Sequence, residues 1–289
     1  MKKSLKIVAA SDFHIPNDSP WKALEPYIVG ADIVVIAGDF IDRSRQDQIS
    51  IVRSFLQWCH NGQRKNVEFI VVAGNNDIWS LDNQNPLKNL PENDNVHWLE
   101  DFGVTVNGLR FWGTPWIKDK GTDDRFAKSE EALREKFALM NDVDILVSHA
   151  TPHIEGSRIS GSRKDHKGSD SLSAMIVEKK PQIVFCGHVH AGQHEPEKLG
   201  DSLVFNVSLY KKGKVSFRPR VIEAVWSEDE GIIFYYSKKD DMKTHHRALK
   251  LRDFAMCDGI SGRCSSPAKL NAGAYHLPDP IARTAGDLL

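Results

Sequence analysis

Five apolar runs in this sequence stop at the same kinds of side chain. Residues 6–10, KIVAA, lead into Ser11-Asp12-Phe13-His14, and residues 32–37, DIVVIA, into Gly38-Asp39-Phe40-Ile41-Asp42. Residues 67–73, VEFIVVA, lead into Gly74-Asn75-Asn76-Asp77. Residues 144–147, DILV, lead into Ser148-His149, and residues 183–186, IVFC, into Gly187-His188-Val189-His190. In extended chain, side chains two residues apart point the same way. Asp12 therefore faces with His14, and His188 with His190. Imidazoles and carboxylates aimed at one point make a metal site. The glycines let the backbone turn sharply and come close. One Asp at a strand end is most often a turn or a helix cap, and one His there is most often packed or solvated. Five such ends, all following apolar runs, favour a shared site.

The elements that would bring these ends together are also legible. Runs rich in Val, Ile and Phe recur at 5–10, 32–37, 67–73, 109–113, 144–148, 183–187, 203–208, 221–226 and 232–236, mostly at strand length. Many lack alternation, which suits strands buried on both faces. Ile51, Phe55 and Trp58 make a helical stripe over 48–60, and Leu133, Phe137 and Met140 another over 130–140. The pattern predicts an α/β fold with an antiparallel meander over about 203–236. In open α/β sheets the carboxyl ends of parallel strands form the binding crevice, so five such ends pool their polar groups. Residues 157–170, SRISGSRKDHKGSD, read as a polar loop. Strand character fades after about 240, which predicts a main domain over 1–240 and a loosely ordered extension over 241–289.

Bulk composition excludes several classes. The 289 residues are 40% hydrophobic and 27% charged, with a net charge of −1. That is ordinary globular composition, and no global field draws the chain to nucleic acid or membrane. No apolar stretch approaches the roughly 20 residues of a membrane span. Lys2 and Lys3 lead straight into a strand-like run, so no secretory signal is read ahead of residue 5. Cytosol is the expected location. Cys59 and Cys186 fall in apolar runs and are expected to be buried thiols, whereas Cys257 and Cys264 lack zinc-knuckle spacing.

In order, SDFH, GDFID, GNND, SHA and GHVH resemble the signature of the calcineurin-like metallophosphoesterase superfamily. Its pattern is DxH, GDxxD, GNH followed by Asp or Glu, a lone His, and GHxH. The resemblance runs over about residues 5–208. GTPW (113–116), LVSHATP (146–152) and VFCGHVHAG (184–192) look closer to the phosphodiesterase-like members than to the protein phosphatases. The resemblance implies a four-layer α-β-β-α sandwich and two divalent metal ions about 3.5–4 Å apart. It implies that Asp12, His14 and His190 hold one ion, that Asn75, His149 and His188 hold the other, and that Asp39 bridges both. Such a mixed oxygen and imidazole shell suits manganese, iron, zinc or cobalt better than calcium. The implied reaction is hydrolysis of a phosphoester by a hydroxide bridging the two ions, with no phosphoenzyme.

Asn76 departs from the pattern. The superfamily has His there, credited with protonating the leaving oxygen. A primary amide offers a hydrogen bond but releases no proton near pH 7, and general acid help is worth roughly 10²–10⁴ in rate. Superfamily members with another residue here often act on phosphodiesters. The expected activity is therefore that of a phosphodiesterase of small or nucleotide-like substrates. His153, His166 and His194 lie near a motif or in the polar loop, and His153 is the candidate replacement acid. Asp42 and Asp77 are expected to orient a ligand or its loop from behind. Candidate substrate contacts are Arg43, placed like the phosphate-binding arginine of the protein phosphatases, and Arg163 and Lys164, flanked by Arg158 and Lys167 in the polar loop. Trp79 and Trp116 are candidates to stack a base, though a Trp in a sheet protein more often packs in the core. The alternatives are a nuclease, with a nucleic-acid partner that the near-neutral charge does not favour, and a metal-binding scaffold with lost activity.

Overall fold

The apolar runs fold as strands buried on both faces. The computed structural model describes residues 4–14, 19–77, 95–121, 124–160, 168–190, 195–211, 214–227, 231–237 and 246–249. In chain order the strands are β1 (Ser4–Ala10), β2 (Ile33–Ala37), β3 (Glu68–Val72), β4 (Val96–Trp98), β5 (Phe102–Val106), β6 (Leu109–Thr114), β7 (Ile117–Lys118), β8 (Ala127–Lys128) and β9 (Ile145–Ser148). β10 (Ile183–Cys186), β11 (Glu197–Leu199), β12 (Ser202–Asn206), β13 (Tyr210–Lys211), β14 (Lys214–Val215), β15 (Arg220–Ser227), β16 (Gly231–Ser237) and β17 (His246–Leu249) follow. The α-helices are α1 (Glu25–Ile28), α2 (Gln48–Cys59), α3 (Glu130–Ala138) and α4 (Asp170–Lys179).

The strands make two main sheets, ordered β17-β16-β15-β1-β2-β3-β4 and β11-β12-β10-β9-β6-β5. β1 to β4 run parallel, as do β6, β9, β10 and β12. Successive residues of each strand feed opposite layers. Ile7, Ala9, Val35 and Val72 of one sheet meet Val147, Phe185 and Phe205 of the other in a central core. Val8, Ile36 and Val71 face the other way, onto Phe55 and Trp58 of α2. Leu146, Val184 and Val204 face Leu133 and Phe137 of α3 and Leu172 and Ile176 of α4. The layers are therefore α-β-β-α. Each fully buried aliphatic or Phe side chain contributes about 1.5–3 kcal/mol, which packs the two sheets face to face.

Three expectations change. The run at 203–208 does not join a meander with 221–236: β12 lies in the second sheet, parallel to β10, while β15, β16 and β17 pair antiparallel beside β1. Strand character also continues past 240, because His246–Leu249 pairs with β16. The rest of the extension lies outside the described residues. The polar loop gives way to helix at Asp170, where the Ser169 hydroxyl accepts from Leu172 N at 3.2 Å and caps α4. Cys59 and Cys186 are buried free thiols, whereas Cys257 and Cys264 lie outside the described residues. Among the described residues, no helix is long and apolar enough to cross a membrane.

Candidate metal centre

The five strand ends meet. β1, β2 and β3 bring Asp12, His14, Asp39 and Asn75 from one sheet, and β9 and β10 bring His149, His188 and His190 from the other. Backbone bonds tie the ends together: Asp12 N donates to Gly38 O at 3.0 Å, Phe13 N to Asp39 O at 2.9 Å, and Gly187 N to His149 O at 3.2 Å. The turns needed to aim these side chains are costly. Asp12, His14, Asp39 and His188 all have left-handed backbone, with φ of 51°, 43°, 50° and 64°. Such positions cost of order 1–3 kcal/mol each and cluster at functional sites. Gly74 has no side chain because a Cβ there would collide with the backbone N and a carboxylate oxygen of Asp39.

Two donor sets share Asp39. Ligand atoms of Asp12, His14, Asp39 and His190 all lie within 4.8 Å of one another, and so do those of Asp39, His149 and His188. His14 Nε2 is 3.1 Å from His190 Nε2 and 3.4 Å from Asp39 Oδ2. His190 Nε2 is 3.1 Å from Asp12 Oδ1. In the second set, His149 Nε2 is 3.5 Å from the same Asp39 Oδ2. Asn75 Oδ1 completes that set, 3.0 Å from both His149 Nε2 and His188 Nδ1. Imidazole nitrogens facing one another and carboxylate oxygens at these separations are arranged as ligands around a cation. The donor set thus fits two divalent metals with mixed nitrogen and oxygen ligands.

The electrostatics agree. Burial opposes charge on Asp12, but the hydrogen bonds to His14 and His190 outweigh it and hold the carboxyl well below its ordinary value. Burial likewise opposes charge on Asp39, and His149 outweighs it. His149 is pushed up to about 9: burial works against its charge and the Asp39 carboxylate prevails. His188 goes down to about 3, through burial first, then His149 and Lys120. The paired carboxylates therefore pull positive charge into the centre. Partners behind the donors orient them. His149 Nδ1 faces the Ala37 carbonyl at 2.9 Å, leaving Nε2 for the site, and Ser11 Oγ donates to Asp12 Oδ2 at 2.6 Å. Asp77 is buried and accepts from Phe40 N, Ile41 N and Gly74 N at 3.2, 2.9 and 2.8 Å, clamping two of the turns. Burial, then the Asp39 charge, push Asp77 up to about 7.

The other expected residues fare differently. Asn76 turns its amide onto Asp39, donating from Nδ2 to Oδ2 at 2.6 Å, while its backbone N donates to Oδ1 at 2.8 Å. Asp42 accepts from Ser44 N and Oγ in its own turn. His153 Nδ1 lies 2.6 Å from Asp170 Oδ1 at the start of α4. Arg43 Nη1 donates to Asp124 Oδ1 at 3.2 Å. Trp116 is a core residue, packed on Phe126 with its Nε1 donating to Asp101 at 2.7 Å. Arg163, Lys164, His166, Lys167, His194 and Trp79 lie outside the described residues. Sequence reasoning missed three neighbours of the centre. Tyr210 packs its ring 4.8 Å from that of His14 and 5.0 Å from that of His190. Lys120 Nζ lies 3.3 Å from His188 Nε2, and Asp124 Oδ1 lies 3.4 Å from Asn75 Nδ2. The charged stretch KDKGTDD after Trp116 and Ile117 was the available signal for the last two.

A two-sheet sandwich whose strand ends pool carboxylates, imidazoles and an amide around one shared aspartate defines a metal-binding α/β protein. The profile described as Calcineurin-like phosphoesterase matches residues 5–192, and the chain belongs to that family of phosphoester hydrolases. A UPF0046 protein of Caenorhabditis elegans is 25% identical over 250 residues, covering 81% of this chain and 76% of that protein. Metallophosphoesterase domain-containing protein 1 of Homo sapiens is 27% identical over 212 residues, 65% of this chain, which spans 61% of that relative's length. The solved structure of TT1561 from Thermus thermophilus superposes with a TM-score of 0.55 at 17% identity, covering 86% of this chain and 99% of that one. That likeness concerns the fold.

Proposed function

We propose that this chain is a phosphodiesterase of small or nucleotide-like substrates that works with two divalent metal ions. The observation that carries the reading is the convergence of two donor sets on one carboxylate, Asp39 Oδ2, 3.4 Å from His14 and 3.5 Å from His149. Asp12, His14 and His190 would hold one ion, Asn75, His149 and His188 the other, and Asp39 both. Manganese, iron, zinc and cobalt are the metals this shell suits. Bound there, the ions lower the pKa of water toward neutrality and neutralise phosphate oxygens.

The protein's own groups set the rest of the chemistry. Asn76 steadies Asp39 by hydrogen bonding and brings no proton that can be released. Lys120, exposed beside His188, adds positive charge where a phosphate anion approaches. An ester whose leaving oxygen needs no proton suits such a site, as does a diester, which carries one negative charge fewer than a monoester. The test is turnover of bis-p-nitrophenyl phosphate by purified protein with Mn²⁺, beside cyclic nucleotides, an alkyl monoester and single-stranded DNA. Faster turnover of the small diesters is expected. Preference for the alkyl monoester would overturn the diesterase reading, preference for DNA would make the protein a nuclease, and Mn²⁺ uptake without turnover would make it a scaffold.

A further inference from the structure

We propose that Asp124 is a positioning residue that decides which end of the Asn75 amide faces the metal, and that Arg43 holds Asp124 in place for this. The inference rests on the reading of Asn75 as a metal ligand. An Asn side chain has one accepting and one donating end of nearly the same shape. Only the oxygen end can bind a cation, and rotation of the amide by half a turn presents the wrong one.

The Asn75 amide oxygen lies 3.0 Å from both His149 Nε2 and His188 Nδ1. The other end of the amide meets a carboxylate, which accepts only. Asp124 Oδ1 lies 3.4 Å from Asn75 Nδ2, so only the NH₂ end can face it, and the oxygen end is turned toward His149 and His188. Arg43 Nη1 reaches the same Asp124 oxygen at 3.2 Å. The segment carrying Asp124 is anchored independently of the centre. Ala127 N donates to Asp124 O at 3.3 Å, Asp119 N to Lys128 O at 2.8 Å, and Phe126 is buried with its ring 5.3 Å from that of Trp116. A charge behind the amide also polarises it, which strengthens its oxygen as a ligand.

The experiment is Mn²⁺ binding to the full chain by titration calorimetry, with metal analysis after dialysis. Wild type should take up two ions. Asp124→Ala should weaken one of them by about 10–100-fold, the usual effect of removing a partner behind a ligand, and Arg43→Ala should weaken the same ion by less. The decisive variant is Asn75→Asp, whose two ends are both oxygen and need no orientation. In that background, adding Asp124→Ala should cost no further affinity. Asp124→Asn keeps an acceptor that can itself turn over; it should fall between wild type and alanine, and it carries the comparison if the alanine variant does not fold. Wild-type Mn²⁺ affinity in Asp124→Ala and Asp124→Asn overturns the proposal. So does an equal loss in both backgrounds, which would assign Asp124 to the shape of its segment. Wild type that takes up no Mn²⁺ overturns the metal reading itself.

Discussion

Replacing Asn76 with His tests who protonates the leaving group, and the structure sets the size of the effect. Asn76 Nδ2 donates to Asp39 Oδ2 at 2.6 Å. A hydrogen bond to a charged group is worth about 1.5–3 kcal/mol, or about 10–150-fold at roughly 1.36 kcal/mol per decade. The backbone bond from Asn76 N to Asp39 Oδ1, 2.8 Å, does not depend on the side chain, so the turn should persist. Asn76→His therefore loses the amide bond with every substrate. p-Nitrophenolate departs without a proton, nothing compensates, and kcat/KM should fall by about tenfold or more. An alkoxide needs the proton, and a general acid returns roughly 10²–10⁴. Alkyl diesters should then gain by about tenfold to a hundredfold. A plot of log kcat/KM against leaving-group pKa should rotate about a crossing point. The assay is a series of aryl and alkyl methyl phosphodiesters measured with both proteins and Mn²⁺. A parallel shift, one factor for all esters, refutes the reasoning. Asn76 would then act only through Asp39, and His153 would be the next residue to replace.

Asp39→Ala should abolish both turnover and uptake of both metals, checked by metal analysis after dialysis; an active, doubly metallated variant would remove Asp39 from its shared position. Gly74→Ala should lower Tm and metal content together, since the added methyl meets the Asp39 backbone and carboxylate, and a variant matching wild type in both would show that the turn can yield. Lys120→Ala should raise KM several-fold with kcat little changed and flatten the salt dependence of KM, as expected for an exposed cation acting on an anion. Charge-neutral substitution of Arg163 and Lys164 should act in the same direction if the polar loop steers substrate. A variant that keeps both the KM and the salt dependence of wild type would leave those cations with no part in substrate capture.

The five strand ends were legible because a parallel strand buried on both faces is a continuous apolar run, and the polar residue that ends it stands out. Partnership between strands was not. Leu203, Val204 and Phe205 are equally apolar beside β10 or beside β15, so nothing local told the sheets apart. The edge strands Val96–Trp98 and Phe102–Val106 are short and partly exposed, which leaves little pattern to read. Helix α4 emerges from a polar stretch and announces itself mainly by its capping serine. At the centre, residue type was readable and direction was not: Asn76 was visible as a departure, but its bond to Asp39 is set by the fold of two loops 37 residues apart. Asp124 stands 49 residues from Asn75, in a stretch whose charges have no spacing that marks them.

The centre takes four of its donors from one sheet and three from the other, at the rim of an apolar interface. Apolar burial is non-directional and does not by itself specify register. A slip of one strand residue, about 3.3 Å, separates donors from opposite sheets that now stand 3.0–3.5 Å apart. Metal ions seated there would act as a fastener that sets the register of one sheet upon the other. Conversely, Phe185→Ala or Ile145→Ala, deep in the interface and outside the donor set, should show up as weakened Mn²⁺ uptake before the protein unfolds. Unaltered uptake in such variants would mean the sheets are aligned without the ions.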